Sequence, residues 1–439
     1  MVSAVVRNQH GSEGERSLRE EVRLTIRLSN FPHIAAAFGE DISTLAVSRL
    51  RQLLTECAPG EVEIAPLGSD AFTILSNDLS FFGMPQGHIR WLDAFCTQAS
   101  GAPFKVGSAT LCMALHGEWD AGKAGGAGSL PRHGGHIAGS GIAWCATYRA
   151  DMAIVARVLT AINQDSREWQ LDDGDVDCLI VEWQPVCDAE SDFDALYYQA
   201  RLRMIDRTGQ KNDYGDLPEI LERMGFIDHL DRYLVGKVLD ELEQDPDVSL
   251  GVQISALYAG QARWWNEIRA RLAGDVGMAA RLVIEINETA PFTDIAAVSQ
   301  FISQMLHLRC KIELSGFGRG STSIRELVAL SPTFVKIDAM FLGGGMRIEQ
   351  DEQMLVHLAG LCKSLGATVI ADGINNSAQR HLALRAGIRW QQGDALARSG
   401  ISRRWRLKTS SSCPTRLVTA CHYAGRDSQM NLQANISPQ

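Results

Sequence analysis

The run RLVIEIN at residues 281–287 is short, apolar and rich in β-branched residues, and the same kind of run recurs downstream as CKIELS (310–315), TFVKI (333–337) and ATVIAD (367–372). Each reads as a strand. Helical patterns lie between or beside them, at 228–243, 295–308 and 351–365. Working upstream, further strands fall at 178–184 (CLIVEWQ), 196–205 and 249–255 (SLGVQIS), and the last at 389–391. Eight strands alternating with helical crossovers predict an α/β fold with a (β/α)8 barrel over residues 164–403. Chemistry in such barrels sits at the C-terminal ends of the strands. The residues to weigh are therefore Gln199, Arg203, Gln253, Glu285, Glu288, Ser315, Gly316, Lys336, Asp372 and Gln392.

Upstream of the barrel the pattern changes. Residues 22–29 (VRLTIRLS) alternate apolar and polar side chains, which predicts a strand. A helix over 41–57 follows, then strands at 61–66 and 71–76 around the turn LGSD, a helix over 88–100 and a strand near 103–115. Residues 21–163 thus form an α+β unit, closed by a helix over 149–163. The stretch 117–141 (GEWDAGKAGGAGSLPRHGGHIAGSG) is rich in glycine and predicts a flexible inserted loop. It lacks the GxxxxGK[ST] spacing of a phosphate loop. Residues 1–20 and 404–439 read as weakly patterned tails.

Composition excludes several function classes. The chain has 439 residues, 45% of them hydrophobic and 21% charged, with a net charge of −10. An acidic chain is poorly suited to non-specific nucleic-acid binding, which depends on phosphate neutralisation by Lys and Arg. The ten cysteines are scattered singly, with no zinc-like spacing, and read as reduced thiols of a cytoplasmic protein. No signal peptide and no long apolar span is visible, so no direct membrane insertion is expected.

Read in order, the segments VEWQPV (181–186), QAR (199–201), LGVQISA (250–256), LVIEINET (282–289), IELSGFGRGSTS (312–323), FVKIDAMFL (334–342), VIADGI (369–374) and WQQGDAL (390–396) resemble the successive motifs of EAL domains. These are phosphodiesterases that open the bacterial second messenger cyclic di-GMP. The resemblance implies a TIM-type barrel and two divalent cations, about 3.5–4 Å apart, held by oxygen ligands. It also shows where this chain departs from the pattern. Gln199 stands in place of the Glu of the EAL motif, Gln253 in place of an Asn, and Ser315 and Gly316 in place of an Asp pair. Asp372 replaces a Glu, and Glu285 alone is unchanged. With so few carboxylates, the resemblance implies a chain without useful phosphodiesterase activity, in which Glu285 and Asp372 are vestigial metal candidates. Arg203, Lys336, Gln392, Gln199 and Gln253 are candidate contacts for an anionic ligand, although Arg203 could instead pair with Glu285 or Asp372. Glu288 matches a loop-stabilising Glu.

EAL domains often follow diguanylate cyclase (GGDEF) domains. The turn Gly68-Ser69-Asp70-Ala71-Phe72 resembles a degenerate GGDEF motif between its two strands. The cyclase needs acidic residues where this chain has Arg27 and Ser29, and Asp70 reads as a turn former. The combined expectation is a catalytically inactive GGDEF–EAL-type signalling protein. It would bind cyclic di-GMP and a protein partner, require no cofactor, and form a homodimer as EAL domains do. The alternatives are a protein-interaction scaffold that binds no nucleotide, and a weak phosphodiesterase using residual Mg²⁺ or Mn²⁺ at Glu285 and Asp372.

Overall fold

The fold is that of a computed structural model, which describes residues 22–58, 62–76, 87–120, 127–130, 141–165, 177–191, 194–205, 217–261, 264–287, 292, 294–319, 322–342 and 348–407. The expected N-terminal tail, most of the expected C-terminal tail and Glu288 lie outside the described residues. The described residues up to Ser402 form one compact unit, and those from Arg403 onward belong to a second. No helix among the described residues is long and apolar enough to cross a membrane.

The N-terminal part opens with strand β1 (Val22–Leu28), whose strict in–out alternation puts Leu24, Ile26 and Leu28 in the core. Helices α1 (Phe31–Phe38) and α2 (Glu40–Cys57) follow, then β2 (Glu63–Leu67), β3 (Ala71–Ser76) and helix α3 (Gly87–Ser100). The predicted strand at 103–115 is in fact three pieces: β4 (Phe104–Val106), β5 (Ala109–Leu111) and the start of β6 (Leu115–Asp120). Buried Asn30 fixes this break. Its amide donates to the Cys112 carbonyl at 3.0 Å and accepts from the Ala114 N–H at 3.0 Å, while the Ala114 carbonyl accepts from the Ser29 N–H at 2.7 Å.

The glycine-rich stretch also differs from the predicted flexible loop. β6 pairs antiparallel with β7 (Ala127–Ser129), and both strands reach into that stretch. A Cβ at Gly117 would lie 2.7 Å from Leu92, and one at Gly128 would lie 2.4 Å from the Trp119 ring. These glycines serve close packing in a hairpin. The remainder of the stretch, 121–126 and 131–140, lies outside the described residues. The result is a five-stranded antiparallel sheet in the order β2-β3-β1-β6-β7. Helix α4 (Ile142–Asp165) completes this part.

The eight predicted downstream strands all form and close into one barrel. They are β8 (Cys178–Asp188), β9 (Ala195–Ile205), β10 (Leu250–Ser255), β11 (Leu282–Asn287), β12 (Lys311–Phe317), β13 (Phe334–Ile337), β14 (Thr368–Ala371) and β15 (Trp390–Gln391). The expected helical crossover fails at one point, between the first two strands. β8 runs antiparallel to both β9 and β15, and only residues 189–194 join β8 to β9. A short connection can link only antiparallel neighbours. Asp188 builds the turn, accepting from the Glu190 N–H and the Ser191 hydroxyl at 2.9 Å each. Arg389, just before β15, binds the same carboxylate and closes the barrel seam. That guanidinium holds the Asp188 carboxyl well below the usual range.

The helices after β9 are α5 (Leu217–Met224), α6 (Ile227–Gln244), α7 (Ala256–Ala259), α8 (Asn266–Gly274), α9 (Val276–Arg281), α10 (Ile295–His307), α11 (Ile324–Leu330), α12 (Ile348–Ser364) and α13 (Ser377–Arg385). Several have evident start signals. Asp294 caps α10 through the Ala296 and Ala297 N–H groups, and Ser323 with Glu326 forms a capping box on α11. The second unit contributes one short helix, α14 (Arg404–Leu407). The eight described cysteines are free, and five of them are buried.

Candidate functional site

Period-2 alternation along β9 places Tyr197, Gln199, Arg201 and Arg203 on one face, stepping from the barrel interior to its mouth. The register then sets Gln253 beside Glu285, Glu285 beside Glu313, and Asn287 beside Ser315. The strand ends therefore converge as expected, but the most densely bonded cluster lies one layer below the mouth.

Lys336 is at its centre. The side chain is 1% exposed, and its Nζ lies 3.1 Å from Glu285 Oε2 and 3.1 Å from Glu313 Oε1. Glu313 also accepts hydrogen bonds from the Tyr197 hydroxyl and, at 2.6 Å, from the Ser315 hydroxyl. Gln199 donates to Glu285 Oε2, while its own oxygen accepts from Gln392 at 2.8 Å and from Arg201 at 3.2 Å. Gln199, Glu285, Lys336, Ser315 and Gln392 thus form one buried network, together with Tyr197 and Glu313. Gly251 makes room for it, since a Cβ there would lie 2.4 Å from Glu285 Oε1 and 2.6 Å from Tyr197.

The charges of this network act on one another. Burial, with Glu313 and Asp372 nearby, pushes Glu285 up to about 7 against the pull of Lys336. Burial works against the Lys336 charge, but Glu285, Glu313 and Asp372 outweigh it and hold its pKa above the ordinary value. Glu285 Oε1 has no hydrogen-bond partner among the described residues.

On the side of the mouth formed by β9, β10 and β11 with helices α5 and α6, a cavity of about 480 Å³ reaches this network at Gln199. Arg201, Arg203, Gln253, Glu222, Ser255 and Asn287 are among its lining residues. Arg203 pairs with Glu182 of β8 at 3.3 Å, so its partner is neither Glu285 nor Asp372. Glu182 also accepts from the Ser399 hydroxyl at 2.8 Å. Asp372 sits half-buried, accepting from the Gly373 N–H at 2.8 Å. Gly316 takes φ +74°, beside the irregularity where β12 leaves β13. The sequence reading missed Tyr197, Glu182, Arg201 and Glu313. Alternation from Ser315 back to Glu313, and from Gln199 back to Tyr197, was the signal available.

The residues present do not fit the two-cation site of the resemblance. Two of the three nearby carboxylates, Glu285 and Glu313, share one ammonium, and Gln199, Gln253, Ser315 and Gly316 offer no negative charge. No group of three or more His, Cys, Asp or Glu side chains among the described residues is arranged to hold a metal ion.

In the N-terminal sheet, Gly68 takes φ +71° in the turn between β2 and β3. Ser69 is exposed at the turn, and Ala71 and Phe72 are buried at the start of β3. Arg27 Nη1 contacts both oxygens of Asp70, at 2.8 and 2.9 Å.

The EAL domain family matches residues 171–399, a span that contains all eight barrel strands. The bifunctional diguanylate cyclase/cyclic di-GMP phosphodiesterase MucR of Pseudomonas aeruginosa is 22% identical over 189 residues, 42% of this chain and 28% of that protein. The signaling protein YkoW of Bacillus subtilis is 22% identical over 199 residues, 44% of this chain and 25% of that protein. The chain therefore spans only about a quarter of the length of these relatives. Among solved structures, the Xanthomonas citri FimX EAL domain in complex with c-diGMP has a TM-score of 0.48 and 22% identity, covering 58% of this chain and 96% of that one. The S helix-GGDEF-EAL portion of Vibrio cholerae LapD has a TM-score of 0.48 and 14% identity, covering 87% of this chain and 90% of that one. With more than half of its length matched by the family, the chain belongs to the EAL domain family.

Proposed function

We propose that this chain is a non-hydrolysing EAL protein that binds cyclic di-GMP at the barrel mouth and passes that state to a protein partner. The observation that carries the reading is the placement of Lys336 between Glu285 and Glu313. Glu285 and Glu313 are both engaged by the one Lys336 ammonium, where the family's chemistry needs carboxylates for cations. Arg201, Arg203, Gln253 and Asn287 line the cavity on the β9–β11 side of the mouth and offer donors suited to phosphate and base edges. Lys336, buried and doubly paired, supports the floor of that site.

In the same reading the N-terminal sheet is a GGDEF-type domain without cyclase activity. Its turn lies between antiparallel strands, and Arg27 occupies the position of a metal-binding acid and neutralises Asp70. MucR is named for both activities of this signalling system, which supports cyclic di-GMP as the ligand to test.

The test is calorimetry with cyclic di-GMP, with and without Mn²⁺, alongside chromatography of the products. The expected result is binding heat independent of Mn²⁺, weakened by Arg203→Ala, with no linear dinucleotide formed. Linear product that accumulates with Mn²⁺ and disappears in Glu285→Ala would overturn the non-hydrolysing reading. Absence of heat in both conditions would leave a protein scaffold as the better description.

A further inference from the structure

Helix α5 has two differently engaged faces. Leu217, Pro218 and Glu222 line the mouth cavity, and Glu222 accepts a hydrogen bond from the Ser255 hydroxyl at 2.8 Å. Ser255 is the last residue of β10, and its N–H is held by the buried Asp231 of α6 at 2.9 Å. The next residue along α5, Arg223, points elsewhere. Its Nε and Nη2 bind the two oxygens of Asp151 on α4, at 2.8 and 2.6 Å. The Asp151 side chain is 6% exposed, so this charge is withdrawn from water and held by a two-pronged cation. The contact is reinforced nearby. Asn163 of α4 donates to the Gly101 carbonyl at 2.7 Å, and Gly101 packs so closely on His229 of α6 that a Cβ would lie 3.0 Å from the ring.

A continuous chain of contacts therefore runs from the N-terminal part to the mouth, through Asp151, Arg223, Glu222 and Ser255. We infer that Asp151 and Arg223 are a positioning pair for the ligand site: the N-terminal part, by clamping Arg223, fixes the wall of the mouth that α5 forms, so clamping and mouth occupancy strengthen each other. Reciprocity follows from linkage, since a ligand that favours the clamped wall must also favour the clamp. The inference takes the mouth as the ligand site proposed above, but the clamp itself is testable without ligand.

The experiment uses the full chain in four forms: unmodified, Asp151→Asn, Arg223→Gln and the charge-swapped double variant Asp151→Arg with Arg223→Asp. Hydrogen exchange without ligand reads the clamp. Both single variants are expected to speed exchange across 217–224 and 253–255 roughly 10-fold, with β12 to β14 unchanged and the swap restoring much of the protection. Unchanged exchange at 217–224, or an equal rise through the whole barrel, would overturn the inference. With cyclic di-GMP added, the unmodified chain is expected to gain protection at 148–157 of α4, and each single variant to bind roughly 5–10-fold more weakly. Ligand binding without protection of α4 would also overturn it. A chain that binds no cyclic di-GMP yet shows the local exchange effect would sink the ligand reading alone.

Discussion

Lys336 Nζ stands 3.1 Å from Glu285 Oε2, with both side chains all but sealed from solvent. An ammonium in this setting is retained by its carboxylates, and they by it. Removing one partner of a buried pair leaves the other uncompensated, which costs about 3–5 kcal/mol. Lys336→Met is expected to lower unfolding stability in urea by that amount. Adding Glu285→Gln and Glu313→Gln to it should recover a large part. A loss below about 1 kcal/mol in the single variant would show that the carboxylates take up protons at little cost.

The same pair predicts a dependence on pH. Glu285 is pushed up to about 7 from an ordinary 4.5, chiefly by burial and by Glu313. The native state then holds a proton that the unfolded chain releases. Its stabilising contribution is full below about pH 4.5 and is lost as pH rises through about 7. Other groups titrate in this range, so the measurement is a difference. Between pH 5 and 7.5 the unmodified chain should lose stability relative to Glu285→Gln. Parallel profiles would refute the assignment.

Gly251 faces Glu285 Oε1 and the ring of Tyr197 at distances no Cβ can share. Gly251→Ala is expected to destabilise by about 1–3 kcal/mol through overpacking. Pairing it with Tyr197→Leu should relieve part of the strain. Additive losses in the double variant, measured by denaturant unfolding, would place the clash elsewhere.

Arg27 and Asp70 make a well-aligned pair, but their side chains are 44% and 21% exposed. Partly exposed pairs contribute little, about 0–1 kcal/mol. Arg27→Ala and Asp70→Ala are each expected to shift the urea midpoint only slightly. A loss of more than about 2 kcal/mol would give the pair a structural weight that the geometry does not predict.

The barrel was legible because its strands are short β-branched runs ending at polar residues, and RLVIEIN, TFVKI and ATVIAD carry that pattern without help from distant contacts. The reversed strand was not legible. Nothing in CLIVEWQPVCD encodes direction, which rests on the Asp188 turn and on Arg389, some 200 residues downstream. Gly117 and Gly128 read as loop formers because composition does not reveal Leu92 and Trp119 pressing against them. At the site, reading the last residue of each strand located Gln199, Glu285, Lys336 and Gln392. It passed over Tyr197 and Glu313, which sit deeper on the same faces and complete the hydrogen bonds of that layer.

The direction of β8 has one more consequence. Cys178 pairs with Ile205 and Ile180 with Arg203, so β8 begins at the rim where β9 ends. A strand of the usual direction would have brought the chain in at the floor of the barrel. Here β8 enters at the rim, so the residues that open the barrel sequence lie beside those that end β9, and Glu182, two residues beyond Ile180, is already part of that rim through Arg203.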